Sequence, residues 1–175
     1  MSEALYLTDP EGNGIEMYRD RPRETWEYTN GQIKMDTLPV DVDSMVKEAA
    51  MGAFEGLPPR TKMGHIHLQV RDVGESSAFY RDVLGFDLVA QWPGAGFLSA
   101  GGYHHHIGMN TWRSYGANSA PADALGLLDY EIILSNQQVQ EELQVRLNKH
   151  QVNFDKDNGL VRVKDPAGIW INFIT

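Results

Sequence analysis

Residues 64–110 and 127–174 carry the same pattern, displaced by 64 positions: Val70 falls on Leu134, Phe79 on Leu143 and Leu88 on Val152. Each copy reads strand, helix, strand, strand, strand. Such a repeat limits the fold more than any single residue, because both copies must bury the same faces. In the first copy a strand spans Gly64 to Val70. A helix runs from about Glu75 to Leu84 and is closed by Gly85, a glycine placed for a left-handed helix end. Strands follow near 86–91, 96–100 and 103–109. In the second copy the strand is Leu127 to Leu134, the helix runs from about Gln137 to Lys149, and strands follow near 151–155, 159–164 and 169–174. The expected class is α+β, built from paired β-α-β-β-β motifs.

A second repeat links the two ends of the chain. Thr8-Asp9-Pro10-Glu11-Gly12 matches Lys164-Asp165-Pro166-Ala167-Gly168, with a strand on either side of each. Residues 1–20 therefore read as the closing hairpin of an incomplete further module. Residues 21–62 read as a connector, and 63–175 as a complete module with motifs at 63–115 and 125–175. Within the connector, Asn30-Gly31 signals a short hairpin. Asp43 is placed to cap a helix through about Phe54, and Leu57-Pro58-Pro59-Arg60 predicts extended chain.

Composition excludes several chemistries. The chain has no cysteine, so thiolate catalysis, disulfides and cysteine-based metal sites are absent. A formal charge of −9 argues against nucleic-acid partners and anionic membrane surfaces, both of which need clustered Lys and Arg. No apolar run approaches the roughly 20 residues of a membrane span. Met1-Ser2-Glu3-Ala4 lacks the basic and apolar regions of a secretory signal, so the expected location is cytoplasmic.

The chemistry must then come from His, carboxylates and Tyr. On the strand Gly64 to Val70, alternation puts Ile66, Leu68 and Val70 on one face and His65, His67 and Gln69 on the other. Two imidazoles at i and i+2 suit a transition metal; a solvated sheet face is the alternative. In the run His104-His105-His106, parity puts His104, His106, Gly108 and Asn110 opposite the core face, and His105 with Ile107. A bulge would change that parity. Asp129 occupies the repeat position of His65. Asn172 stands six residues after Pro166, as Glu16 stands six after Pro10. Two histidines and one carboxylate leave open positions on a non-haem Fe(II) ion. His65, His106 and Asp129 would meet that pattern, as would a set that brings in Glu16 from a neighbouring chain. Tyr103 and Trp112 are available to line an apolar pocket. No phosphate-cradling loop or nucleophile elbow is present.

The stretch Gly64-His65-Ile66-His67-Leu68-Gln69-Val70-Arg71-Asp72-Val73, with Ser76-Ser77-Ala78-Phe79-Tyr80-Arg81-Asp82-Val83-Leu84-Gly85-Phe86, closely resembles the vicinal-oxygen-chelate superfamily of glyoxalases, bleomycin-resistance proteins and extradiol dioxygenases. Residues 99–112 and 9–18 are similar to parts of catechol-2,3-dioxygenase-like members. The resemblance implies a half-open curved mixed sheet with helices on its outer face and a divalent metal on the concave side. The expected ion is Fe(II), with Mn, Ni, Zn or no metal as alternatives. The implied activity is ring cleavage of a catechol-type diphenol by a homodimer. A glyoxalase-type lyase and a non-catalytic small-molecule binder are the other readings. Carried over by position, His65, His106, Asp129 and Glu16 are candidate metal ligands, and His105 and His67 candidate acid/base groups. Tyr103, Asn110, Trp112 and Asn172 are candidate contacts to a small aromatic substrate. Two positions depart from the dioxygenase pattern: Asp129 stands where a second histidine is expected, and Asn172 where a glutamate is.

Overall fold

A computed structural model describes residues 1–49, 52–118, 120, 121 and 123–175. The chain divides into two compact units, Met1–Gly64 and His65–Thr175. Among the described residues no helix is long and apolar enough to cross a membrane.

The first unit opens with β1 (Ser2–Thr8) and β2 (Gly14–Asp20), an antiparallel pair in register from Ser2↔Asp20 to Thr8↔Gly14. Their connecting turn is held by Asp9, whose Oδ1 accepts from the N–H groups of Glu11 and Asn13. The Asn30-Gly31 signal yields the hairpin β3 (Tyr28–Thr29) and β4 (Gln32–Ile33). Both turn residues have positive φ, 53° and 78°, as that tight turn requires. Helix α1 (Val42–Glu48) is shorter than expected and is capped by Asp41, not Asp43, through Ser44 N–H at 2.9 Å. Positions 50 and 51 of the expected helix lie outside the described residues; Gly52 to Phe54 are not helical. Extended chain was expected at 57–60, but the Thr61 N–H donates to Pro58 O at 2.9 Å and closes a turn. Neither Pro59 nor Arg60 precedes a proline, so both are free to adopt turn geometry.

The second unit holds the two repeats. The first comprises β5 (Ile66–Gln69), α2 (Val73–Ala78), β6 (Asp87–Trp92), β7 (Ala95–Ser99) and β8 (Ile107–Asn110). The second comprises β9 (Asp129–Ile133), α3 (Gln137–Lys149), β10 (Phe154–Asp157), β11 (Leu160–Lys164) and β12 (Trp170–Ile174). Their sheets have matching orders, β5-β8-β7-β6 and β9-β12-β11-β10, each mixed and unclosed. In both, the first strand runs parallel to the last. The expected paired motifs of a half-open curved mixed sheet are thus realised as two four-stranded mixed sheets over one core.

That core draws on both repeats: Leu68, Val70, Leu98, Ile107 and Met109 cluster with Leu143, Leu147, Val161, Val163, Ile171 and Phe173. Their alternation along the strands is what places them there. After α2 the chain makes a π-helical turn, Phe79–Val83, and ends at Gly85 with φ 91°. Arg146 of α3 caps that end, donating to the carbonyls of Val83 (3.1 Å) and Leu84 (3.0 Å). A hydrogen-bonded triad, with Tyr80 and Asp165 buried and Tyr130 half-buried, also joins the repeats. The Tyr80 hydroxyl donates to Asp165 Oδ2 at 2.9 Å and lies 2.7 Å from the Tyr130 hydroxyl. One oxygen can donate only once, so Tyr130 donates to Tyr80.

Candidate metal centre

Strand β5 buries Leu68 and leaves His67 and Gln69 on the opposite, exposed face, as alternation predicts. It pairs with β8 so that His67 lies opposite Gly108. His65 precedes the strand, where the Ile66 N–H donates to the carbonyl of His106 at 3.0 Å. The turn Gly101-Gly102, with φ of 62° and 67°, leads into the three-histidine run.

Parity does not govern that run, because β8 begins only at Ile107. His104 and His105 are both buried. The rings of His65 and His105 have centroids 4.2 Å apart and planes 31° apart. His67 lies 5.0 Å from His65 and 5.6 Å from His105. One nitrogen from each of His65, His67 and His105 falls within 4.8 Å of the others. Three imidazoles converging this closely are a nitrogen-rich donor set for a divalent transition metal.

Proton bookkeeping supports that use. Nδ1 of His104 and Nδ1 of His105 are 2.8 Å apart, so one carries the proton and the other accepts it. The Nε2 atom of His105 is buried and has no hydrogen-bond partner among the described residues. If His105 donates from Nδ1 to His104, its Nε2 lone pair is open to an ion. The reverse arrangement would put a proton on that nitrogen. His104 is therefore the group beside His105 that shares the proton on which its tautomer depends. Burial, and then the neighbouring histidines led by His65, hold the His105 pKa down to about 2. The ring is thus neutral, the form a ligand needs.

The surroundings are apolar on one side. Phe97 lies edge-on to His105 at 5.1 Å and to His67 at 6.5 Å, and Trp92 packs on Phe97 at 5.3 Å. Tyr103 tilts against His104 at 4.2 Å.

The remaining candidates make other contacts. His106 turns its Nδ1 to the Ser99 hydroxyl at 3.2 Å and accepts from the Ala100 N–H at 3.3 Å, so it is not in the convergent set. Asp129 sits in the second sheet, where Oδ1 accepts from Asn172 at 3.3 Å and Oδ2 is 3.9 Å from Arg162. Arg162 in turn stacks on Trp170 at 4.3 Å. Glu16 lies in the first unit, where the Tyr6 hydroxyl donates to it at 2.9 Å. Asn110 is buried and its Oδ1 accepts from the Trp112 N–H at 3.3 Å; the Trp112 side chain is exposed.

Sequence reasoning did not single out His104 as a positioning group, nor Phe97 as a wall. The run of three histidines pointed to the place but not to the division of labour within it. Phe97 gave no signal, since all five residues of β7 are buried and show no alternation.

Comparison with known proteins adds independent findings. Residues 62–173 match the profile of the Glyoxalase/Bleomycin resistance protein/Dioxygenase superfamily. The chain is similar to catechol-2,3-dioxygenase of Bacillus subtilis (strain 168), with 46% identity over 178 residues, 99% of this chain and 62% of the relative. It thus spans about three fifths of that relative's length. Among solved structures it is similar to lactoylglutathione lyase from Agrobacterium tumefaciens (TM-score 0.51, 20% identity, 67% of this chain, 94% of that one). It is also similar to glyoxalase I of Leishmania major (TM-score 0.51, 23% identity, 66% of this chain, 86% of that one). At those identities the structural likeness speaks to fold alone.

Proposed function

This chain belongs to the glyoxalase/bleomycin resistance/dioxygenase superfamily, and from that premise we propose that it is a metal-dependent extradiol dioxygenase-like protein acting on a small catechol-type diphenol. The observation that carries the reading is the convergence of His65, His67 and His105 within 4.8 Å, with Nε2 of His105 buried and without a hydrogen-bond partner among the described residues. The 46% identity to a catechol-2,3-dioxygenase supports the substrate class.

In this reading His65 and His105 hold the ion, Fe(II), which when bound supplies Lewis acidity and a template for O₂ and the adjacent hydroxyls. His67 is the most solvent-facing of the three. It completes the donor set, or takes a proton from an entering hydroxyl. A carboxylate brought in by a neighbouring chain, as Glu16 would be, is put forward to complete the coordination in place of Asp129, which is engaged by Asn172 in the second sheet, and His106 ties the loop that carries His105 to Ser99. Phe97 and Trp92 form the wall against which an aromatic ring lies, and Tyr103, Asn110, Trp112 and Asn172 are the further contacts put forward. In the overall reaction a ring C–C bond beside the hydroxyls breaks and both atoms of O₂ enter the product. O₂ is the only oxidant.

The test is anaerobic loading of the full chain with Fe(II), measurement of bound iron, and exposure to catechol and O₂. Expected are bound iron and one O₂ consumed per catechol lost. Bound iron without O₂ uptake overturns the dioxygenase assignment while keeping the metal centre. Ligand-dependent thermal stabilisation in metal-free protein, with no turnover on metal addition, assigns a binding protein instead.

A further inference from the structure

The two four-stranded sheets correspond strand for strand, and their pairing registers match residue to residue. In the first, His67 lies opposite Gly108, and Gly108 opposite Phe97. In the second, Glu131 lies opposite Asn172, and Asn172 opposite Arg162. Cross-strand partners share a face, so the face that carries His67 in one sheet carries Glu131, Asn172 and Arg162 in the other. Two residues along each strand, Asp129 pairs with Trp170 and Trp170 with Lys164.

This second face is a hydrogen-bonding surface with two atoms left over. Asn172 donates through Nδ2 to Asp129 Oδ1 at 3.3 Å. An ionised carboxylate only accepts, so that contact fixes which end of the amide is nitrogen and turns Oδ1 away from Asp129. Asn172 Oδ1 and Arg162 Nε are both buried and have no hydrogen-bond partner among the described residues. Asp129 does not satisfy Arg162, because its Oδ2 stands 3.9 Å from Nη2, beyond hydrogen-bond range. A spare acceptor and a spare donor thus stand at directly paired positions on β12 and β11, and buried polar atoms left so are costly. The Arg162 guanidinium covers them from Trp170, on which it stacks at 4.3 Å. That side chain is 35% exposed, and an exposed stack of this kind is weak, so the guanidinium can leave the ring and uncover both atoms.

Charge decides what enters. Asp129, Glu131, Asp155 and Asp157 share this face with Arg162 and Lys164, and the excess of carboxylates repels an anion. One neutral group answers both spare atoms, because a hydroxyl accepts with its oxygen and donates its hydrogen. We propose that the Arg162–Asn172 pair binds the hydroxyl group of a small neutral molecule. Arg162 Nε donates to the hydroxyl oxygen, Asn172 Oδ1 accepts the O–H, and the Trp170 ring is the apolar wall beside it. The site gives Asn172 a task that does not depend on a metal ion.

A phenol and an aliphatic alcohol offer the same group, and the experiment separates them. The full chain is held in chelator, so the outcome is independent of the ring-cleavage reading. Phenol and ethylene glycol are titrated separately, with toluene and benzoate as controls, while NMR follows the Arg162 Nε–H and the Asn172 side-chain amide. Expected are saturable shifts with phenol that toluene does not produce; saturation by glycol as well assigns the site to hydroxyls in general, and its failure assigns it to a hydroxylated ring. Asn172→Leu should weaken phenol binding about tenfold, as should Arg162→Met, which keeps an unbranched stem against Trp170. Val145→Thr, on the exposed side of α3, should leave it unchanged, and circular dichroism should show the variants folded. No saturable shift with either hydroxylic probe overturns the proposal and leaves the two atoms to solvent water. Equal shifts with toluene, or full phenol affinity in both variants, also overturn it, and tighter binding of benzoate than of phenol does so by assigning an anion site.

Discussion

His67 and Gly108 face each other across the parallel β5–β8 pair, so closely that a Cβ added to Gly108 would meet His67 Cε1 at 2.6 Å and Nδ1 at 2.8 Å. The absent side chain is the space in which the imidazole lies. Real Cβ atoms do not approach a ring this closely, so one of the two must move.

Gly108→Ala should therefore push His67 out of the convergent set while the fold survives, since His67 is exposed and can swing into solvent. A loss of Zn(II) or Fe(II) affinity of roughly 10- to 100-fold is expected, in the range seen when support for a metal ligand is lost. The thermal midpoint should move little. Calorimetric titration of metal into the variant checks this; unchanged affinity would remove His67 from the site.

His105 and His106 are neighbours in sequence with different surroundings: His105 converges with His65 and His67, and His106 turns to Ser99. Removing the buried Nε2 with His105→Ala should reduce divalent-metal affinity by about 100-fold or more. His106→Ala should retain stoichiometric metal and cost about 1 kcal/mol of stability through the lost Ser99 contact. Equilibrium dialysis with atomic absorption, paired with urea melts, separates the two. The reverse pattern would return the ligand role to His106.

His104 Nδ1 lies 2.8 Å from His105 Nδ1, so the two rings share one proton between them. With His104→Phe the 2.8 Å acceptor is gone, and His105 can protonate on Nε2. Metal affinity should drop by about 10-fold, with His104→Asn restoring part of it through a side-chain carbonyl that can accept. The ¹⁵N shifts of the His105 ring in metal-free protein report the tautomer directly, and no change in them would refute this role.

Asp165 predicts a pH effect of known sign. Burial outweighs its backbone and Tyr80 donors and holds its carboxyl above the usual value of 3.8. The folded state thus keeps a proton that the unfolded state has released, so this group's contribution to stability is full below about pH 3.8 and is lost as pH rises through the raised folded value. Asp165→Asn keeps an Oδ1 acceptor for the turn and removes the titration. The stability of the unsubstituted protein relative to this variant should fall between pH 3.5 and neutrality. Parallel urea melts across that range measure it, and a flat difference contradicts the assignment. Tyr80→Phe, which strips the same carboxylate of its hydroxyl donor, should cost about 1–3 kcal/mol.

Local patterning told much of the fold. The 64-residue repeat gave two motifs, and they have identical strand orders. The helix expected at Gln137–Lys149 spans those residues, and the alternation in Ile66–Gln69 separated core from histidine face. The Asp-Pro-x-Gly repeat anticipated two turns that share every main-chain bond. These features are legible because each depends on residues within a turn or two of one another.

What tertiary structure decided is which side chains meet. Alternation can assign faces only where a strand exists, and β8 starts after the three histidines, so it could not say which of His105 and His106 would lie beside His65 and His67. The apolar faces of β1–β2 and β11–β12 likewise read the same in sequence. Only the flanking strands and helix, present beside one hairpin and not the other, make one a core and the other a surface. Composition and spacing determine what each segment can bury; the long-range packing determines what it finds to bury against.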